Sequence, residues 1–298
     1  MFTRVLLLLC MMGVGYLLLL VSMFVVLLIS GAQFGDRNSI LSMLALQGPM
    51  VFILPAVVAM ALFYRRPLHV MQLDRAPSLK ALAVVVVFYV VSLPAMNWLI
   101  DLNASMDLPS WMDGIERYMR SAEESAAITT EQLLDIQTVG RLIISVLVIG
   151  AMAGLGEEFF FRGAMLRTMQ DSRLNVHAVV WIVAAVFSAF HMQFYGFLPR
   201  MLLGAWLGYL FVWTRSLWVP VIAHTLNNST VVVMNYLANK GVVPKDFCDN
   251  LGLPADGAFP WVAMVSLVLS IALAVWAARI FKKNRACVSG NIDKGATA

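Results

Sequence analysis

The sequence predicts an all-α protein that crosses a membrane about eight times, and three observations carry that prediction. Hydrophobic residues fill 61% of the 298 positions and charged residues only 13%, with a mean hydropathy of +0.82, far from the balance of a soluble domain. The apolar residues gather into runs long enough to cross a hydrocarbon core of ~30 Å at ~1.5 Å per residue. Basic residues stand singly or in short clusters beside those runs, as topology signals do. The net charge of +4 is therefore not a nucleic-acid signal, and no nucleic-acid partner is expected.

The first span covers Val5 to Ile29 and, with Arg4 ahead and no small-residue cleavage site behind, reads as a retained helix rather than a removed signal. A second covers Ile40 to Phe63, with Pro49 and Pro55 expected to kink it, and Tyr64-Arg65-Arg66-Pro67 ends it. A third covers Leu79 to Ile100. Residues 101–137 carry eight acids against Arg117 and Arg120 only, so they form a loop outside the bilayer. Within it Leu108, Trp111, Met112, Ile115, Tyr118 and Met119 recur at helical spacing, predicting a short amphipathic helix on the membrane surface. The remaining spans are Val139 to Phe161, Val176 to Tyr195, Met201 to Trp213, Leu217 to Leu237 and Phe259 to Phe281.

These runs divide the chain into residues 1–137, with three helices and the acidic loop, a core at 138–238 with four helices, and 239–298, with a loop, the last helix and a basic tail. If the N-terminus is cytoplasmic, 14 of the 21 basic residues fall on that side, among them Arg4, Arg65, Arg66, Arg75, Lys80, Arg162, Arg167, Arg173, Arg215, Arg279, Lys282, Lys283, Arg285 and Lys294. Both termini are then cytoplasmic, and a bacterial inner membrane suits the pattern. Cys10, Cys248 and Cys287 form no CxxC pair and read as unpaired packing residues.

Chemistry concentrates in Glu157-Glu158-Phe159-Phe160-Phe161-Arg162, two carboxylates and a guanidinium inside an apolar run. Ionisable groups in a membrane segment cost ~2.5–3.5 kcal/mol each on insertion scales and mark functional sites by default. Glu158 and Arg162 are four apart and share a helical face, whereas Glu157 is turned ~100° away. The pairing neutralises Glu158 and leaves Glu157 to face a water-filled cavity as a general base. The helix should continue to turn residues at 171–175. A hairpin centred on residue 174 sets Glu157 and His191 17 positions away on either side, hence at one level. Arg167 lies 10 residues from Glu157, ~15 Å along a helix, and Arg215 lies 9 from His224, ~13 Å, so His224 shares that depth, part-way in from the cytoplasmic side. Phe187 and His191 are four apart, as are His224 and Asn228. Phe187 should hold the His191 ring, while imidazole and amide donors of His224 and Asn228 converge where an oxyanion would form.

The order EExxxR, FxxxH, HxxxN, carried by Glu157 to Arg162, Phe187 to His191 and His224 to Asn228, resembles the CAAX protease and bacteriocin-processing (CPBP, Abi) family, which includes the type II CAAX prenyl endopeptidases. The resemblance covers about residues 138–238; the other spans match in number only. It implies an eight-helix intramembrane protease with its catalytic residues in a conical cavity open toward the cytoplasmic side. In it Glu157 and His191 activate water, and His224 and Asn228 form the oxyanion site. The expected substrate is a membrane protein or lipid-anchored peptide within the bilayer. No cofactor is expected, since HExxH is absent; a zinc enzyme would use Glu157, His191 and His224 as ligands. A non-enzymatic scaffold, an immunity protein or a small transporter is the competing class, although the paired repeats of transporters are not evident. Nothing in the sequence fixes the oligomeric state.

Overall fold

The computed structural model describes residues 1–298 apart from 31–34, 245, 246, 248, 249, 255–257 and 296–298, and side chains apart from those of 30 and 282–295. Cys248 and Lys282, Lys283, Arg285, Cys287 and Lys294, invoked above, lie outside the described side chains.

The described residues are helical, with no strand among them. The long helices are α1 (Phe2–Ser30), α2 (Arg37–Phe63), α3 (Leu79–Ala104), α4 (Asp113–Leu134), α5 (Val139–Gln170), α6 (Val176–Phe190), α7 (Phe197–Thr214), α8 (Trp218–Asn239) and α9 (Trp261–Gly295). Six stretches are long and apolar enough to cross a membrane: α1, α2, α3, α5, the segment Phe194–Thr214 that contains α7, and Trp261–Phe281 of α9. α6 is apolar but only 15 residues long. α8 has 22 residues, and its His, Thr, Ser and Asn residues dilute its hydropathy. The chain is an integral, multi-pass membrane protein.

Local chemistry sets the helix starts. Asp36, Ser78, Thr138 and Asn175 each accept a hydrogen bond from a backbone amide of the first turn of α2, α3, α5 and α6, satisfying donors that a helix end leaves unpaired. Around Pro49, which has no N–H to donate, α2 widens to i→i+5 spacing over Gly48–Ile53, and the Leu54 amide donates to the Pro49 carbonyl. α5 widens likewise over Val146–Met152 and Phe159–Leu166.

Three sequence expectations change. The span predicted from Val176 to Tyr195 ends at Phe190, where His191 caps it and Met192 turns left-handed at φ 54°. The amphipathic segment near Trp111 passes through a short 3-10 turn at Ser110–Met112 into a 22-residue helix, α4. Cys10 is exposed rather than packed.

The core lies between α1, α2, α5, α6 and α7, where Phe52, Met60, Phe160, Phe161, Leu166 and Phe187 are buried. One end of the bundle gathers Arg4, Tyr64 and Asp171, with Arg4 and Tyr64 reaching the Asp171 carboxylate at 3.3 and 2.6 Å. Arg167 donates there to the Val70 carbonyl at 2.8 Å. At the other end α4 lies over the turn between α6 and α7. Arg120 bridges Glu116 and Asp107 and stacks on Tyr195, and Asn103 bonds Phe194 and Leu198.

Candidate functional site

Glycines let the helices approach closely enough to assemble the site. A Cβ on Gly154 would meet Thr225 Oγ1 at 3.0 Å, one on Gly150 would strike Ser229, and one on Gly156 would meet the Gly48 backbone at 3.1 Å. The Gly-x-x-x-Gly-x-Gly run before Glu157 thus seats α8 on one side of α5 and α2 on another. Gly204 and Gly208 do the same for α7 against Ala184, Phe187 and Val180 of α6.

Glu158 and Arg162 form the predicted pair at 2.7 Å, both with fully buried side chains. The guanidinium also donates to the Gly204 carbonyl at 2.9 Å and lies 4.7 Å from the Phe187 ring centre. Arg162 is therefore a core residue of the site and does not belong with the basic residues of one membrane face, where the sequence analysis counted it. A charge buried this deeply persists only with its counter-charge and hydrogen bonds in place.

Glu158 does more than neutralise Arg162. The Oε1 atom that accepts from Arg162 also lies 2.8 Å from His224 Nδ1. A carboxylate paired with a guanidinium is an acceptor only, so His224 carries its proton on Nδ1 and turns Nε2 toward Glu157, whose Oε2 is 3.8 Å away. Glu157 retains 14% of its side-chain exposure, and its Oε2 accepts no hydrogen bond from the described residues. The division into one structural and one chemical glutamate thus needs amending: Glu158 also orients a histidine of the site.

His191 is fixed from its own helix. Its Nδ1 lies 2.9 Å from the Phe187 carbonyl, an acceptor without a proton, so Nδ1 donates and Nε2 is left as a base. The Phe187 ring stands between the two histidines, 5.1 Å from His191 and 5.9 Å from His224, centre to centre and near-perpendicular to both. His191 also interacts electrostatically with Glu157, His224 and Arg200. Glu157 thus lies beside His224, and His191 lies across the Phe187 ring from it.

Asn228 sits one turn beyond His224, but its amide Nδ2 donates to the Ile149 carbonyl at 3.3 Å, and its Oδ1 accepts from Asn227 at 3.2 Å. One Nδ2 proton is thus committed to α5. Arg200, absent from the sequence reading, binds the carbonyl and side chain of Gln193 at 3.2 and 2.7 Å and interacts with Glu157 and with Glu123 of α4. It braces the left-handed turn after His191. The apolar residues flanking that turn hid it in the sequence.

The other two histidines lie apart: His69 pairs with Asp74 at 2.7 Å, and His177 with the Tyr209 hydroxyl at 2.9 Å. Among the described residues no three His, Cys, Asp or Glu side chains are grouped to hold a metal ion.

Residues 139–230 match the family model described as Rce1-like, type II CAAX prenyl endopeptidase. The matched stretch holds α5, α6, α7 and the first half of α8, with all seven residues of the EExxxR, FxxxH and HxxxN motifs singled out above. No curated protein and no solved structure matches the chain.

Proposed function

We propose, starting from the Rce1-like domain at residues 139–230, that the chain is an intramembrane endopeptidase that hydrolyses a peptide bond of a membrane-anchored or membrane-inserted substrate through water activated by Glu157. The observation that carries this reading is a carboxylate whose Oε2 accepts no hydrogen bond from the described residues, 3.8 Å from one histidine and with a second across the Phe187 ring, each histidine held by an acceptor on Nδ1.

The chemistry follows from the hydrogen bonds. Glu157 takes a proton from water as the oxygen attacks the scissile carbonyl carbon. His191 Nε2 accepts the second water proton and aligns the nucleophile. The carbonyl becomes an oxyanion, which the free Nδ2 proton of Asn228 and a protonated His224 at Nε2 stabilise. Glu158 balances that imidazolium from the other side, as Arg162 balances Glu158. The tetrahedral intermediate collapses with cleavage of the C–N bond; Glu157 returns its proton to the leaving nitrogen and His191 gives up the second, so the products are a carboxylate and an ammonium and both side chains are restored. No step needs a redox partner or a second nucleophile.

Type II CAAX prenyl endopeptidase is the description of the matching family, and a prenylated peptide is accordingly the first substrate to try. Full-length protein in lipid nanodiscs should cleave a quenched-fluorescent peptide ending in farnesylated Cys, two aliphatic residues and Met. Glu157→Gln should abolish that cleavage while leaving the unfolding temperature unchanged. Cleavage surviving in purified Glu157→Gln would remove the assignment. Full activity in strong chelator supports a metal-free site, and loss restored by zinc supports the zinc alternative.

A further inference from the structure

Two polar side chains reach the site from helices outside the matched stretch. Tyr16 sits in α1, a helix otherwise almost wholly apolar, and Gln47 sits in α2; both are half-buried. Gln47 Nε2 donates to the Tyr16 hydroxyl oxygen at 3.3 Å. The Tyr16 ring packs on Phe190, 6.1 Å between centres, the residue before His191.

Backbone contacts fix this placement. Gly15 lies against the Met50 carbonyl, and the Gly156 position lies 3.1 Å from the Gly48 Cα when a Cβ is built on it. Tyr16, Gln47 and Glu157 are each the chain neighbour of a glycine at which two helices touch. Tyr16 accordingly interacts electrostatically with Glu157. Because its oxygen already accepts from Gln47, the phenol keeps its proton to donate, and Gln47 Oε1 remains an acceptor. Neither has a partner among the described residues.

A protease that admits a peptide within a bilayer must supply partners for the substrate's own amides and carbonyls, since lipid supplies none. A hydroxyl donor beside an amide acceptor matches one carbonyl and one N–H of an extended chain. We propose that Tyr16 and Gln47 bind the substrate backbone beside the scissile bond, Tyr16 donating to a carbonyl and Gln47 Oε1 accepting from an N–H. The inference rests on the proteolytic reading of the site. It assigns substrate recognition to the amino-terminal helices, with the chemistry left to α5, α6 and α8.

The test uses the nanodisc protein and the farnesylated peptide described above. Tyr16→Phe and Gln47→Met, the latter keeping side-chain length, should each raise KM by about 2- to 10-fold, the loss of one hydrogen bond, with kcat changed less than twofold. Peptides with single amides replaced by esters, one at a time, should show one position near the cleavage site where the ester raises KM for wild type and adds nothing for Gln47→Met. A pair that merely ties α1 to α2 would lower the unfolding temperature and leave KM and the ester pattern unmoved, which overturns the proposal. If neither the peptide nor the membrane proteins of the host show Glu157-dependent cleavage, the proteolytic reading falls and takes this one with it.

Discussion

Replacing Arg162 by Met removes a guanidinium that is fully buried, 2.7 Å from Glu158, 2.9 Å from the Gly204 carbonyl and stacked on Phe187. Methionine fills much of the volume but strips Glu158 of its guanidinium and leaves His224 Nδ1 as its remaining partner among the described residues. Breaking one partner of such a pair costs ~3–5 kcal/mol, a shift of roughly 10²- to 10³·⁵-fold in the folding equilibrium at ~1.4 kcal/mol per decade. The assay is reversible denaturation of purified protein in mixed micelles, read by helical circular dichroism. The double variant Glu158→Leu/Arg162→Met deletes both charges and should recover most of the lost stability. It should not recover cleavage, because His224 Nδ1 then has no carboxylate to hold it. A single variant within ~1 kcal/mol of wild type would refute the argument that the pair is tightly buried and coupled. An active double variant would refute the orienting role of Glu158.

Gly156→Ala pushes a methyl group against the Gly48 backbone at 3.1 Å, where no side chain can move aside, and should cost ~1–3 kcal/mol in the same denaturation assay together with a loss of cleavage. Arg120 beside Glu116 holds that carboxyl below its ordinary value of 4.5. The native state thus binds fewer protons than the unfolded state near that value, so the contribution is fully present above it and disappears as pH falls through the lowered folded value. Hydrogen exchange in α4 should accordingly accelerate in that acidic window, and Arg120→Ala, which lets the Glu116 carboxyl return toward its ordinary value, should shrink that pH-dependent step.

The apolar runs were legible because length and hydropathy alone mark a span, and the turn at 171–175 because its residues are turn formers. The i,i+4 rule gave the Glu158–Arg162 pair because the helical rise is fixed. The second bond of Glu158, to His224, was not legible, because it depends on how closely α8 approaches α5, set by Gly150 and Gly154 against Ser229 and Thr225. The end of α6 was hidden by Met192, a non-glycine residue at φ 54° amid apolar neighbours, which carries no turn signal. Arg162 was counted as a topology residue because sequence distance from a helix end does not distinguish a core face from a surface face. Pro49 marks a missing donor in the sequence but not the widened turn over Gly48–Ile53 that accompanies it. Tyr16 and Gln47 went unnoticed because one tyrosine in an apolar helix has no period and no motif to mark it.

The central claim is that Glu157 activates water on a peptide bond. Its most direct measurement compares new protein termini in membranes from cells carrying wild-type protein with those carrying Glu157→Gln at equal abundance. The account predicts a set of neo-termini in membrane-anchored or membrane-inserted proteins that is present with wild type and missing with Glu157→Gln. Identical termini in the two membranes would contradict it.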